Sequence, residues 1–184
     1  MRRASFAEMN CSIAQTLEIV GEWWTLLIVR DAMFGVTRFD EFSSRLGIAR
    51  NVLTQRLDTL VEHEILAKEP YQDNPVRYDY RLTEKGRDLW TVLAALRQWG
   101  DRWTAEDGAP VVSTHSCGQT MTVEPTCSAC GERIGTGELR VHPGPGATTD
   151  NPLAGLRLTL GATSRQLPSP CALETCDDDE VHVE

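Results

Sequence analysis

Ala49-Arg50-Asn51-Val52-Leu53-Thr54-Gln55-Arg56-Leu57 opens a stretch whose two sides carry different chemistry. Leu53, Leu57, Leu60 and Val61 recur at helical spacing and mark one side for burial. The other side holds Asn51, Thr54 and Gln55 early, then Asp58 and Glu62 late. Amides, a hydroxyl and nearby arginines suit base edges and phosphates, whereas a phosphate backbone repels carboxylates. That order predicts a helix whose N-terminal half enters a major groove and whose C-terminal half leaves it.

The flanks extend this reading. A shorter helix over about Asp40–Leu46 precedes the stretch, and Gly47 is suited to end it in a left-handed conformation. The longer helix is expected over Arg50–Glu64. Ile65–Tyr71 and Arg77–Leu82 then read as two strands, joined through the turn chemistry of Gln72-Asp73-Asn74-Pro75. Upstream, helices are expected over Ser12–Val20, stopped near Gly21, and over Glu22–Met33, with Phe34–Thr37 as a turn. The fold class is therefore mainly α: a winged helix-turn-helix with a two-stranded wing, followed by a small Cys/His extension like a zinc ribbon.

Thr83 is a plausible N-cap for a further helix, in which Leu89, Val92, Leu96, Trp99 and Trp103 are spaced three, four, three and four. Such a seam packs along another helix, either within its own domain or across a dimer interface. A symmetric dimer sets two recognition helices about one DNA turn apart, ~34 Å, as a palindromic operator requires.

Charge divides the chain. The net charge of -9 looks wrong for a DNA binder, yet residues 1–104 carry 14 Lys and Arg against 15 Asp and Glu, while residues 105–184 carry 4 against 12. The acidity belongs mainly to the second part, so DNA binding in the first must come from a local basic surface. The expected division is residues 1–104 for DNA binding and dimerisation, 105–146 for a linker and Cys/His segment, and 147–184 for a mostly irregular acidic tail. Within the tail, Leu156–Leu160 is read as a short strand or helix turn, and Asp177–Glu180 as a solvated charge run. No apolar run approaches a membrane span and no signal core opens the chain, which predicts a cytoplasmic protein without membrane contact.

Arg50, Asn51, Thr54 and Gln55 are the candidates for the groove, since Asn and Gln pair with adenine and Arg with guanine. Arg56 is assigned to flanking phosphate. Arg38 and Arg45 are read either as backbone clamps or as solvated surface, and Arg77 lies at the wing base within reach of phosphate or minor groove. No catalytic constellation is visible.

These pieces resemble the HxlR-type winged helix-turn-helix regulators, themselves similar to the broader MarR-like group. The likeness rests on Cys11 before the first helix, Gly21-Glu22-Trp23-Trp24-Thr25-Leu26-Leu27-Ile28 with Arg30-Asp31, Arg38-Phe39-Asp40-Glu41-Phe42, Leu53-Thr54-Gln55-Arg56-Leu57, and Tyr80-Arg81-Leu82-Thr83 with Gly86. It implies a homodimeric transcription regulator, by analogy a repressor, whose first and last helices form the interface. Ala49, Trp23 and the wing sequence Asn74-Pro75-Val76-Arg77-Tyr78 depart from the usual pattern and bear on the target sequence rather than the fold. The resemblance also implies a sensor reading for Cys11, through oxidants or electrophiles, beside the plainer reading of a small packed interface residue. The identity of any effector is open. So is a protein-interaction adaptor that keeps the scaffold without binding DNA.

Five of the six cysteines follow residue 116. His115, Cys117, Cys127 and Cys130 form His-x-Cys-Gly, eight residues, then Cys-x-x-Cys-Gly, which suits the turns of a structural zinc site. The tight His-x-Cys spacing leaves two other readings of the fourth position, His142 as the ligand or no ligand at all. Reduced thiols and a redox dithiol are the competing readings. Cys171 and Cys176 are expected to be incidental.

Overall fold

A left-handed glycine sets up the reversal on which the motif depends. In the computed structural model, which describes residues 5–135 and 142–148, Gly47 has φ 62° and its N–H donates to the Ser43 carbonyl at 3.0 Å. A residue with Cβ is strained in that conformation, so glycine ends the helix at low cost. The described elements are α1 (Ser12–Val20), α2 (Trp23–Met33), α3 (Phe39–Leu46), α4 (Arg50–Glu62), β1 (Leu66–Asp73), β2 (Val76–Leu82) and α5 (Glu84–Trp103). None of the described helices is long and apolar enough to cross a membrane.

The core is built from one buried stripe per element. Ile28 and Val29 of α2, Phe42 of α3, and Leu53, Leu57 and Leu60 of α4 are completely enclosed, and Leu66 and Tyr80 close the cluster from the sheet. Each such apolar side chain contributes about 1.5–3 kcal/mol when removed from water. Burial also holds the Tyr80 phenol above its ordinary pKa.

α4 ends at Glu62, two residues before the expected Glu64. Glu64 itself turns left-handed with φ 56°, and Ile65 N–H returns to the Leu60 carbonyl at 2.8 Å. The reason is burial: Ile65 and Leu66 must enter the core at once, and a continuing helix would carry them past it. Left-handed backbone at a non-glycine residue costs about 1–2 kcal/mol, which that burial offsets.

β1 and β2 pair antiparallel from Leu66↔Leu82 to Asp73↔Val76, with a bulge between Pro70 and Gln72. The strands run closer to the turn than expected, leaving only Asn74 and Pro75 between them. A third segment joins this sheet, for Arg38 bridges Asp79 and Tyr80 N–H donates to the Thr37 carbonyl at 2.8 Å. The end of the expected Phe34–Thr37 turn thus ties the base of the wing to the start of α3.

Thr83 caps α5 as expected, accepting from Gly86 N–H at 3.1 Å. Its hydroxyl also donates to the Glu64 carbonyl at 2.6 Å, joining the new helix to the reversal after α4. Along α5 the expected five-residue seam is divided. Leu89 packs, with Leu93, against the domain's own core, whereas Val92, Leu96, Trp99 and Trp103 are exposed. On α1, Ile13 and Leu17 are exposed as well.

The extension contrasts with this. None of residues 105–135 is buried. It is held to α5 by Gln98, whose amide donates to the Val123 carbonyl at 2.9 Å and accepts from Val123 N–H at 2.7 Å, and by Arg97 bonded to Ser113 Oγ at 2.5 Å. Asn10 grips the later loop in the same bidentate way, through Gly146 O at 2.9 Å and Thr148 N at 3.1 Å. The Leu156–Leu160 element, Cys171, Cys176 and the acid run Asp177–Glu180 lie outside the described residues.

Candidate nucleic-acid interface

Because Leu53, Leu57 and Leu60 are pulled fully into the core, the helical period leaves the opposite side of α4 to solvent. Arg50, Asn51, Thr54 and Gln55 are all exposed there. The Thr54 hydroxyl donates back to the Arg50 carbonyl at 2.9 Å, which fixes the side chain while leaving its oxygen able to accept. Gln55 Oε1 accepts from Arg56 Nη2 at 3.4 Å. Asn51 has no side-chain hydrogen bond among the described residues, so both ends of its amide are available.

Arg50 is positioned rather than loose. Its guanidinium bonds Asp40 at 2.8 Å and lies 4.7 Å from the centre of the Phe39 ring, so α3 orients it. Both partners of that pair are about 70% exposed, at 70% and 68%. Surface pairs of this kind are worth about 0–1 kcal/mol, so Arg50 can exchange Asp40 for a phosphate or a base at little cost.

The remaining arginines divide. Arg77 is exposed on the wing and has no ion pair among the described residues. Arg38 stacks 4.7 Å from the Tyr71 ring centre and lies 3.8 Å from Asp79, where the third sheet segment meets the wing. Arg45 bonds through Nε to Asp31 at 3.1 Å. Asp31 is 1% exposed and also accepts from Arg30 at 2.8 Å, so Arg45 clamps α3 to α2 and is not the free surface arginine of the alternative reading.

Arg56 is the least exposed of the candidate arginines. Its side chain is only 17% exposed and lies 4.0 Å from Glu22 at the start of α2. Its Nε is buried without a hydrogen-bond partner. The position borders the buried stripe of α4 beside the N-cap of α2, with Nη2 turned toward Gln55 on the exposed side. Sequence reasoning also missed Asp79, whose carboxylate accepts from Thr37 at 3.2 Å and from Arg81 at 2.8 Å. Lys68, stacked 4.5 Å from the Tyr78 ring centre, was missed too. Trp23 at the start of α2 is 88% exposed.

The cysteine positions are distinct from this face. Cys11 occupies the N-cap of α1, half-buried, immediately after the Asn10 that grips the loop at 146–148. Cys117 and Cys130 are exposed and Cys127 half-exposed, and His115 and His142 are exposed. Among the described residues no three His, Cys, Asp or Glu side chains are gathered closely enough to hold a metal ion.

Comparison with known proteins agrees with this geometry. The family model described as HxlR-like helix-turn-helix matches residues 19–108. The HTH-type transcriptional regulator Rv3095 of Mycobacterium tuberculosis, itself uncharacterised, is 43% identical over 137 residues, 73% of this chain and 87% of its own length. A match of that length runs past residue 108 into the extension. The regulator YvaP of Bacillus subtilis is 30% identical over 98 residues, 53% of this chain and 91% of its own. Among solved structures, PA1607, proposed as a transcription factor, superposes with a TM-score of 0.68 at 37% identity, covering 76% of this chain and 99% of its own. PA1374 of Pseudomonas aeruginosa does so with 0.57 at 42% identity, covering 76% and 97%. The chain belongs to the HxlR-like helix-turn-helix family and is a DNA-binding transcriptional regulator built on a winged helix.

Proposed function

We propose that the protein acts as a homodimer on a palindromic operator, with the first half of α4 in the major groove and the wing against the flanking backbone. The observation that carries this reading is the exposed side of α4, where Asn51, Thr54 and Gln55 stand outward beside Arg50, opposite three fully buried leucines. Asn51 and Gln55 read base edges, Arg50 a base or phosphate, and Arg77 and Arg38 the backbone beneath the wing. Dimerisation is supported by the apolar face left open on two helices: Ile13 and Leu17 of α1, and Val92, Leu96, Trp99 and Trp103 of α5. Six large apolar side chains left in water on the first and last of the described helices are what an isologous interface buries.

Selection of bound duplexes from a random pool, followed by gel-shift titration, tests both parts. The expected result is a two-fold symmetric sequence with half-sites one helical turn apart. Gln55→Ala should then lose about 5- to 150-fold in affinity for it, the equivalent of ~1–3 kcal/mol, with an unchanged melting temperature. If six or more phosphates are neutralised, affinity should fall about 10³-fold or more between roughly 50 and 200 mM salt. A scaffold that serves only as a protein adaptor would select no duplex and show no affinity to lose.

A further inference from the structure

We propose that His115, Cys117, Cys127 and Cys130 bind one Zn²⁺ as a structural site that staples the extension in the absence of a core. The inference is independent of how the protein reads DNA.

The extension contains two turns built on one hydrogen-bonding plan. In the first, His115 N–H donates to Gln119 O at 2.9 Å, and Gly118 N–H returns to His115 O at 2.9 Å. In the second, Cys127 N–H donates to Glu132 O at 2.8 Å, and Gly131 N–H returns to Cys127 O at 2.8 Å. Each is closed by a bridge, Thr114↔Thr120 and Thr126↔Arg133, and each turns on a left-handed glycine, with φ 88° and 76°. The first turn is one residue shorter, and that explains the tight His-x-Cys spacing. Its histidine occupies the place of Cys127, and its cysteine, like Cys130, directly precedes the glycine. Each turn therefore offers two soft ligands from equivalent positions.

The second turn also faces its first sulfur with donors, for the backbone N–H groups of Cys130 and Ala129 are directed at Cys127. The need for a staple is independent of the turns. With nothing buried between residues 105 and 135, apolar packing contributes little to this segment, and a metal supplies the missing stabilisation in such small units. Three thiolates and an imidazole favour tetrahedral zinc and leave no position for water. Binding converts three thiols to thiolates and releases three protons to solvent.

In the described conformation the two turns stand open, for no three ligands converge. His115 Nδ1 accepts from Cys117 N–H at 3.3 Å. Ligation ends that contact by either route, because a metal on Nδ1 takes its lone pair and a metal on Nε2 requires Nδ1 to carry the proton. The ion thus closes the turns on each other and reorients the imidazole.

The test uses the full chain, purified under reducing conditions without chelator. Elemental analysis should find about one zinc per chain. After removal of zinc, added Co²⁺ should give the visible d–d bands of a tetrahedral site together with thiolate charge transfer. Cys117→Ser and Cys127→Ser should each abolish both signals, while Cys11→Ser retains them. Since a serine variant can also unfold the segment, alkylation of the unaltered chain gives a second readout: Cys117, Cys127 and Cys130 should be protected until chelator is added. Zinc below about half an equivalent with no cobalt bands, alkylation indifferent to chelator, or a Cys127–Cys130 disulfide in the reduced preparation would each overturn the site.

Discussion

Residues 12–103 and residues 105–135 are stabilised by opposite means. The winged helix draws apolar side chains from α2, α3, α4 and both strands into one enclosed cluster, and its polar surface then follows from helical geometry. The extension encloses nothing, and its backbone is set by two glycine turns and by Gln98, Arg97 and the Glu124–Arg133 pair at 2.7 Å. A core averages over many contacts, so each recognition side chain rests on a surface that tolerates change elsewhere. A segment held by a few polar anchors, exposed to competition from water, lacks that averaging. Each anchor, and each proposed ligand, therefore matters individually.

The sharpest way to break the comparison is to create the same kind of defect in both regions. Leu57→Ala removes a fully buried side chain beneath the reading face and should cost about 2–5 kcal/mol. Thermal unfolding followed by circular dichroism should show one cooperative transition at a markedly lower temperature. Val123→Ala in the extension should move that transition by no more than the roughly 0.5 kcal/mol typical of surface changes. An equal loss from both would mean that the extension shares the core after all.

Gly86→Ala should have the next largest effect. A Cβ there would lie 2.2 Å from the Ile65 carbonyl oxygen and 2.9 Å from Leu82, where the start of α5 presses on the chain leaving α4. Backbone cannot yield as a side-chain tip does, so about 1–3 kcal/mol should be lost despite the better helix propensity of alanine. Chemical denaturation would reveal it as a lower midpoint with an unchanged slope. A neutral or stabilising result would show that α5 can slide, and that the Thr83 cap does not fix its start.

Much of the first region was legible because its signals are local. Leucines at helical spacing, Gly47, Thr83 before Gly86 and the alternation around Tyr78–Tyr80 each specify their own turn of chain, and the elements follow within two residues. What escaped depended on neighbours distant in sequence. Helical spacing places residue 56 at the border of the buried stripe but does not say that Glu22 at the N-cap of α2 lies beside it. Arg45 reads as a surface cation until Asp31, fourteen residues earlier, is seen buried beneath it. A single bridge such as Arg38↔Asp79 is too short to carry a period of its own. In the extension the glycines announced both turns, whereas its attachment to α5 through Gln98 had no sequence signature, because any exposed glutamine looks the same.

Gln98 also carries the smallest predicted effect, one that separates attachment from folding. Its amide makes both hydrogen bonds to Val123, and bonds of this kind are worth about 0.5–1.5 kcal/mol each when buried and less when exposed. Gln98→Ala should leave the main unfolding transition where it is while speeding proteolysis between Thr104 and Ser113, since the extension then moves away from α5 as a unit. Zinc-dependent protection of the cysteines should survive, because the turns hold their own backbone bonds. If Gln98→Ala abolishes that protection as well, the turns need α5 as a platform and the extension is not a unit that a metal could staple by itself. If it changes neither readout, the clamp is redundant with Arg97 and with the grip of Asn10 on the loop at 146–148, and only the combined variants will release the segment.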